Sequence, residues 1–542
     1  MLDRLYAEVP RFDLTERFRF LVRQIFHVFD AGSAERPGAW DIPNWANLDA
    51  SLHIETPCPE PFRLAVEAES RSGRFSLYRT PEPLGCVSDA IRHYLLHAGL
   101  VSETASAGLD VALGPGSVHL YDVLCRFLVE VPGDAIVVPD FSYGFFLPQI
   151  GMAGGDAIAV PVDAGGRVAA DTLVGVIAGT DRHKLERWRR HAGHAIMAAL
   201  DGVVQPAQAL VRAVERSVAS ISAGMPRAEI LEAIAAPLRD HCPESELAAR
   251  LARVVPPRCV ALLHANPSMT GALYRQEDIE SLVPAIEQAG LAVIEDLAHH
   301  WYTDDLADLH SFLGTRCRTY TLLGVSKTFG IAEWRLGVLV ARASILRPFY
   351  PMIEASCGFV ATPLQVALAR LMGQGADFHR GYRRKQEVVT GTVWRKRALM
   401  RACVEGADRH GSGQEIRSML EGIADELRPA VTEFCSRGLQ WAMSFRFPPD
   451  AGFFAVVDCE AALRMMRARG LPARGAFDLF AYLSYFHGIR TIPEQAMTPE
   501  WRPEGTHLRL SYAAAPEQVA LACFATFVAL RAIEAMSMGG RR

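Results

Sequence analysis

The stretch Thr321-Leu322-Leu323-Gly324-Val325-Ser326-Lys327-Thr328-Phe329-Gly330-Ile331-Ala332-Glu333-Trp334-Arg335-Leu336-Gly337 decides how this chain is read. Its lysine is one of four (Lys184, Lys327, Lys385 and Lys396) in 542 residues that also hold fifty-two arginines. A guanidinium stays protonated, whereas an amine can lose its proton and attack a carbonyl carbon. A chain that keeps so few amines marks Lys327 for chemistry. Residues 322–325 are apolar and strand-like, and Ser326 and Lys327 stand at their end. Gly330 and Gly337 then loosen the backbone around Arg335, eight residues beyond the lysine.

Working outward, Val293-Ile294-Glu295-Asp296-Leu297-Ala298-His299 is an apolar run that ends in acid. It reads as a buried parallel strand whose C-terminal end carries a carboxylate into a crevice, where α/β sheets bind ligands. Glu295 would point to the opposite face from Asp296. Capping the next helix is the other use open to Asp296. Further upstream, Val111-Ala112-Leu113-Gly114-Pro115-Gly116-Ser117-Val118-His119-Leu120-Tyr121 is a glycine-rich turn opening the helix expected over residues 122–129. Free backbone N–H groups at such a helix start suit a phosphate. Pro139-Asp140-Phe141-Ser142-Tyr143 follows a strand expected over residues 135–138.

In this order, the motifs resemble the fold-type I pyridoxal phosphate enzymes of the aspartate aminotransferase family, where a Ser/Ala-Lys pair is followed by Gly and then Arg-x-Gly. The resemblance implies pyridoxal 5'-phosphate as cofactor, held covalently by Lys327, with Ser326 beside it and Arg335 on its phosphate. It also implies a phosphate cup at Gly116, Ser117 and Val118, Asp296 on the pyridine nitrogen and Phe141 stacked on the ring. His264-Ala265-Asn266-Pro267-Ser268-Met269-Thr270-Gly271 resembles the Asn-Pro-x-Asn-Pro-Thr-Gly signature but is one residue short. Asn266 therefore matches either the asparagine on the ring hydroxyl or the first asparagine of the signature. Gly505-Thr506-His507-Leu508-Arg509-Leu510-Ser511-Tyr512-Ala513 resembles the strand whose arginine grips the substrate carboxylate, which a planar guanidinium binds through two parallel hydrogen bonds. Tyr78-Arg79-Thr80-Pro81-Glu82-Pro83-Leu84-Gly85 resembles the segment that reaches the cofactor phosphate of a neighbouring subunit, which implies a homodimer with shared sites. Two positions depart from the pattern. Gly324 stands where relatives have a serine on the phosphate. His299 stands where they have a tyrosine on the ring hydroxyl, with a side chain that ordinarily titrates near neutrality. Tyr302 is a substitute for it, and His300 is expected to be a core residue.

Composition fits a large soluble enzyme: half the residues are hydrophobic and the net charge is only −5. No basic stretch argues for nucleic acid, and the arginine-rich residues 187–190 read as a solvated helix side. The longest apolar stretch, residues 519–530, is too short to span a bilayer and reads as a final amphipathic helix, so no membrane partner is expected. Eleven scattered cysteines without a Cys-x-x-Cys, and no secretory pattern at the start, suggest free thiols in the cytoplasm.

The expected fold is α/β. A large cofactor-binding domain with a mainly parallel sheet between helices (85–375) is interrupted by a helical insertion (179–253). A smaller α+β domain is built from both termini, with residues 1–84 as arm and part of that domain and residues 376–542 as linker helices and C-terminal part. The insertion has helical periodicity over 181–200, 206–223, 227–242 and 245–254, broken at Pro206, Pro226 and Pro243. It is either a surface elaboration or, because it leaves the sheet between the Phe141 and Asn266 segments, a lid or second ligand wall. The resemblance implies an enzyme acting on the α-amino group of an amino acid, an aminotransferase first. The alternative is a lyase, cyclase or side-chain replacement enzyme using an activated amino acid such as S-adenosylmethionine. Transcription regulators with an aminotransferase-like domain need an N-terminal DNA-binding helix pair. Residues 1–47 offer one short apolar helix, 14–29.

Overall fold

The structure is a computed structural model that describes residues 58–72, 80–201, 207–409, 413–500 and 502–536. Tyr78 and the apolar segment 14–29 lie outside these residues.

Seven strands form the large sheet: β1 (Leu109–Gly114), β2 (Ala135–Pro139), β3 (Asp156–Val160), β4 (Cys259–Ala265), β5 (Ala292–Leu297), β6 (Arg318–Leu323) and β7 (Gly337–Arg342). Their order is β1-β7-β6-β5-β4-β2-β3. Strands β6, β5, β4, β2 and β3 run parallel, and β7 is antiparallel to both its neighbours. Nearly every residue of β2, β4 and β5 is buried, as a sheet covered on both faces requires, and their sequences are correspondingly continuous apolar runs. Register aligns the site. Ala265 pairs with Asp296, Asp296 with Leu322, and Leu297 with Leu323, so the chain leaves β4, β5 and β6 along one edge. That edge, outside the carboxyl ends of parallel strands, is where α/β sheets bind ligands.

The small domain has a four-stranded antiparallel sheet of β8 (Ser444–Phe447), β9 (Phe454–Asp458), β10 (Ile492–Pro493) and β11 (His507–Ser511), ordered β10-β11-β9-β8. Helices Val393–Glu405, Arg428–Arg437 and Pro516–Ala535 close a core around Leu399, Phe434 and Leu530. Among the described residues, Pro516–Ala535 is the one helix long and apolar enough to cross a membrane, and it packs Val519, Cys523 and Leu530 into this core. The described part of the N-terminal arm departs from expectation. Helix Glu60–Arg71 packs on Thr362–Met372 and buries Phe62 with Ile91 and Leu368, so it belongs to the large domain.

The insertion is helical as expected, with a different start and a different place. Its first helix, Ala170–Ala199, begins as a sheet-covering helix that buries Leu173 and Ile177 beside the helix Gln276–Ala289, then runs on past the sheet. With Gln208–Ser220, Arg227–Ala235 and Glu244–Leu251 it encloses a core of its own, including Ile196, Val214, Ile234 and Leu251. This bundle docks at the N-terminal ends of β2, β3 and β4. Asp134 is fully buried and accepts from Arg227 at 2.7 and 3.0 Å and from the backbone N–H groups of Val131 at 2.9 Å and Arg258 at 3.1 Å. Lys184 donates to the Gly133 carbonyl at 2.7 Å and to Asp156, and Asp181 accepts from the Cys259 backbone at 2.7 Å. The ligand edge lies roughly 20 Å away, at the other end of β4. Within its own chain the bundle therefore does not wall the ligand edge. The chain enters it after the C-terminal end of β3 and leaves it at the N-terminal end of β4, where Asp134 and Asp156 pair with it.

Candidate functional site

Lys327 reaches the ligand edge through a tight turn. After β6, Gly324 bends the chain into the short helix Val325–Thr328. A Cβ on Gly324 would lie 2.2 Å from the Ala298 Cα and 2.5 Å from its carbonyl oxygen, so no larger residue fits where β5 and β6 turn off side by side. This explains the serine that is missing from the pattern. The turn is braced from behind, where Gln386 donates to the Thr328 carbonyl at 2.9 Å and the Tyr382 hydroxyl to that of Phe329 at 3.1 Å. The Tyr302 hydroxyl makes a longer bond to the Lys327 carbonyl, 3.4 Å. Tyr302 thus holds the lysine's backbone. Desolvation in the cleft lowers the Lys327 amine to a pKa of about 8, with Asp296 pulling the other way and Arg509 adding to the fall.

Asp296 ends β5 with its carboxylate accepting the Ala298 N–H at 2.8 Å, and burial raises its pKa to about 6. Glu295 faces the other side as expected, fully buried against Ser311 at 2.6 Å, the Phe312 N–H at 2.8 Å and Thr321 at 2.7 Å. Asp296 also lines a cavity with Pro139, Phe141, Tyr143, Ser268 and Met269.

An anion cradle stands beside this cleft. Gly116 has φ +92° and precedes the helix Ser117–Leu128, whose first N–H groups have no intrahelical acceptor. A Cβ on Gly116 would sit 2.5 Å from Arg335 Nη2, and one on Gly337 would sit 2.7 Å from the Ser117 nitrogen. Arg335 itself adopts the left-handed conformation at φ +50° that turns its side chain back over this turn. The Ser326 hydroxyl donates to the Leu336 carbonyl at 3.2 Å. Gly116, Ser117, Val118, Ser326 and Arg335 therefore converge on a cup shaped by glycine, and the donor set suits a phosphate. Lysine, acid and cup together fit pyridoxal 5'-phosphate.

Arg509, on β11, is 3% exposed. Its guanidinium lies 4.1 Å over the Phe454 ring, and Nη1 donates to the Met269 sulfur at 3.5 Å. It also acts electrostatically on Lys327, which places both in one cleft. Three sequence expectations need correction here. Phe141 touches the cavity, but its ring stands edge-on to Phe447 at 5.5 Å and His507 at 5.3 Å, committed to the small domain. Tyr143 lines the same cavity as Asp296, and burial raises the pKa of its hydroxyl. Asn266 spends its amide on the backbone, donating to the Tyr274 and His310 carbonyls at 2.9 Å each and accepting from the Tyr274 N–H at 3.0 Å. It cross-links its loop and is not available to a ring hydroxyl. His299 does not titrate near neutrality. Burial, then Lys327, Arg509 and His300, push it well below the usual histidine range. His300 is a core residue, bonded to the Tyr94 hydroxyl at 2.6 Å and the Leu297 carbonyl at 2.8 Å.

A family model described as aminotransferase class I and II matches residues 231–524. This chain belongs to that family. Among curated relatives of the aminotransferase chain, aromatic-amino-acid aminotransferase 2 of Thermococcus litoralis is 27% identical over 154 residues, 27% of this chain and 39% of the relative. L-aspartate:5-guanidino-3-methyl-2-oxopentanoate transaminase of Pseudomonas syringae pv. syringae is 26% identical over 166 residues, 29% of this chain and 41% of the relative. The matched stretch spans about two fifths of the length of these relatives. In fold, the chain is similar to YbdL of Escherichia coli, described as having a methionine aminotransferase function, at TM-score 0.55 and 15% identity over 93% of this chain and 96% of the other. It is also similar to the aspartate aminotransferase of Rhizobium meliloti, at TM-score 0.55 and 16% identity over 88% and 90%. The mixed α/β fold with its large, mainly parallel sheet is the one the motifs implied.

Proposed function

We propose that this protein is a pyridoxal 5'-phosphate-dependent aminotransferase acting on an α-amino acid. The observation that carries the reading is Lys327 at the ligand edge of the sheet, its amine near pKa 8 beside the Asp296 carboxylate and next to a glycine-shaped anion cup. When bound, the cofactor supplies an electron sink for the bond that breaks at the substrate Cα. Lys327 holds it and, once its amine is freed, moves the proton at Cα. A pKa of about 8 leaves a useful fraction of that amine neutral at physiological pH. Asp296 holds the proton on the pyridine nitrogen. Arg335 and the N–H groups after Gly116 hold the phosphate. Arg509 takes the substrate carboxylate, oriented by its stacking on Phe454.

We further infer a cytoplasmic homodimer with shared sites. Support for the dimer comes from the Tyr78 segment and from Arg335 and Trp334, which are exposed in a single chain. Support for the compartment comes from eleven free cysteines, most of them buried.

The test is spectroscopic and chemical. Purified protein should be yellow, and borohydride should fix the label to the Lys327 peptide. Amino acid added without keto acid should convert the chromophore to the amine form of the cofactor, and a keto acid should restore it. Label on Lys184, Lys385 or Lys396 would refute the site. A chromophore that persists while a side-chain fragment is released would replace transamination by lyase or replacement chemistry.

A further inference from the structure

We propose that His299 is the positioning residue of this site, a neutral hydrogen-bond acceptor that aims the Lys327 nitrogen. This rests on the reading of Lys327 as the cofactor lysine. His299 Nε2 lies 3.4 Å from Lys327 Nζ. An ammonium group has three donors and no acceptor, so at neutral pH the contact requires Nε2 to be the acceptor and Nδ1 to carry the ring proton. Surroundings enforce that state. His299 is 6% exposed, and its ring stands at 89° to both Phe453, 4.7 Å away, and Phe454, 5.5 Å away. The same two phenyl rings carry the cations, with Lys327 Nζ 5.9 Å from the Phe453 centroid and the Arg509 guanidinium 4.1 Å over Phe454. A third positive charge between them is disfavoured, so the imidazole stays neutral.

The charged and titratable groups facing this pair are Asp296 and His300 from β5 and its turn, Tyr302, Arg509 from β11 and Tyr143 from the loop after β2. Among them Asp296 is the one anion, and its place is the ring nitrogen. His299 is therefore the neighbour that can take a hydrogen from Lys327 without becoming charged. One N–H directed at Nε2 leaves the rest of the amine turned to the cleft, which is the orientation proton transfer at Cα needs. A tyrosine hydroxyl at this position would donate to its neighbours, so the histidine changes a donor into an acceptor.

The experiment titrates the absorbance of the loaded protein between pH 5 and 10 and needs no turnover. In the loaded protein the Lys327 nitrogen carries a hydrogen only when it is protonated, so an acceptor at Nε2 raises the proton affinity of that nitrogen. His299→Phe keeps an aromatic edge on Phe453 and Phe454 and removes the acceptor. The midpoint should fall by about one pH unit, a tenfold change in proton affinity. His299→Gln restores an acceptor and should recover at least half of the shift, and His299→Leu provides a second acceptor-free variant. Midpoints for Phe and Leu within about 0.2 units of the parent, with borohydride still labelling Lys327, would overturn the assignment. So would equal shifts in the Gln and Phe variants, because a purely steric role predicts them. A parent protein with no chromophore at Lys327 would overturn the cofactor reading and this assignment with it.

Discussion

At the C-terminal ends of β4, β5 and β6 the charged groups are held apart from full partners, whereas at the N-terminal ends of β2, β3 and β4 they are neutralised one against another. Lys327 faces a neutral imidazole at 3.4 Å, and Lys184 meets a carboxylate and a carbonyl. Asp296 accepts one backbone N–H and is raised to about 6, while the buried Asp134 accepts from Arg227 Nη2 on both oxygens and from three N–H groups. Incomplete pairing is what leaves a proton free to move at pH 7. Complete pairing is what docks the helical insertion without disturbing the sheet.

Lysine substitutions give the largest contrast. Lys327→Ala should lower turnover by at least about 10³-fold while the protein stays folded, because the base and the covalent anchor are lost together. Lys184→Met should leave turnover within about threefold and cost about 1–3 kcal/mol of stability, from the stranded Gly133 carbonyl and Asp156. Steady-state rates and urea unfolding of both variants decide it. Comparable losses of turnover would mean that the two ends of the sheet are coupled.

Next in size is the insertion dock. Asp134→Ala leaves Arg227, whose side chain is 13% exposed, with only the more exposed Glu130 as carboxylate partner and removes the acceptor of three N–H groups. Breaking such a buried pair costs about 3–5 kcal/mol. Unfolding should split into two transitions, with residues 170–255 exchanging amide hydrogen first and the chromophore lost only in the second. A single transition with simultaneous loss of colour would make the bundle part of the catalytic domain's cooperative core.

The ligand edge was far more legible than the dock. Lys327, Asp296, Gly116 and Arg335 stand at strand ends or in glycine turns, where local sequence dictates both backbone shape and side-chain direction. Asn266 stayed open between two matches because its role depends on Tyr274 and His310, which meet it only in the fold. Phe141 misled for a similar reason. Its left-handed backbone, φ +63°, turns the ring toward Phe447 of another domain, and nothing in Pro139-Asp140-Phe141 announces that. The insertion's helices could be read from periodicity, since each has to bury a stripe. Its location could not, because Arg227 and Asp134 are 93 residues apart in the chain. The state of His299 is likewise set by Arg509 and two phenylalanines from the small domain.

The unpaired edge should also carry a pH signature in the cofactor-free protein. Asp296 has a folded pKa of about 6, raised from 3.8, so the folded state binds the proton more tightly and stability falls as pH rises from about 4 to 6. The cost, about 3 kcal/mol, is then present at all higher pH. Lys327 runs the opposite way. Its folded pKa of about 8 lies below 10.5, the unfolded chain binds the extra proton, and stability recovers as pH rises from about 8 to 10.5. Asp296→Asn should therefore stabilise the cofactor-free protein near pH 7 and flatten the acid limb, while abolishing turnover. Urea midpoints across pH 4–10 test it, and an unchanged acid limb in Asp296→Asn would assign that slope elsewhere.

The smallest effects should come from the arginines of the insertion, and they separate a solvated surface from a dock. Arg187 and Arg190 are exposed on the long helix Ala170–Ala199, where a charge in water gains little from any partner. Arg189, which lies between them, donates to the Ala219 carbonyl at 3.3 Å and to that of Ile221, tying this helix to the end of Gln208–Ser220. Replacing Arg187 or Arg190 by alanine should change stability by less than about 0.5 kcal/mol. Arg189→Ala should cost about 1 kcal/mol, the net worth of an ordinary hydrogen bond, because its side chain stays largely in water. None of the three should alter turnover or the chromophore, since the bundle lies at the far end of β4. A change in substrate affinity in Arg187→Ala or Arg190→Ala, with stability intact, would show that this face meets a charged reactant after all, and the division between a chemical edge and a structural edge would have to be redrawn.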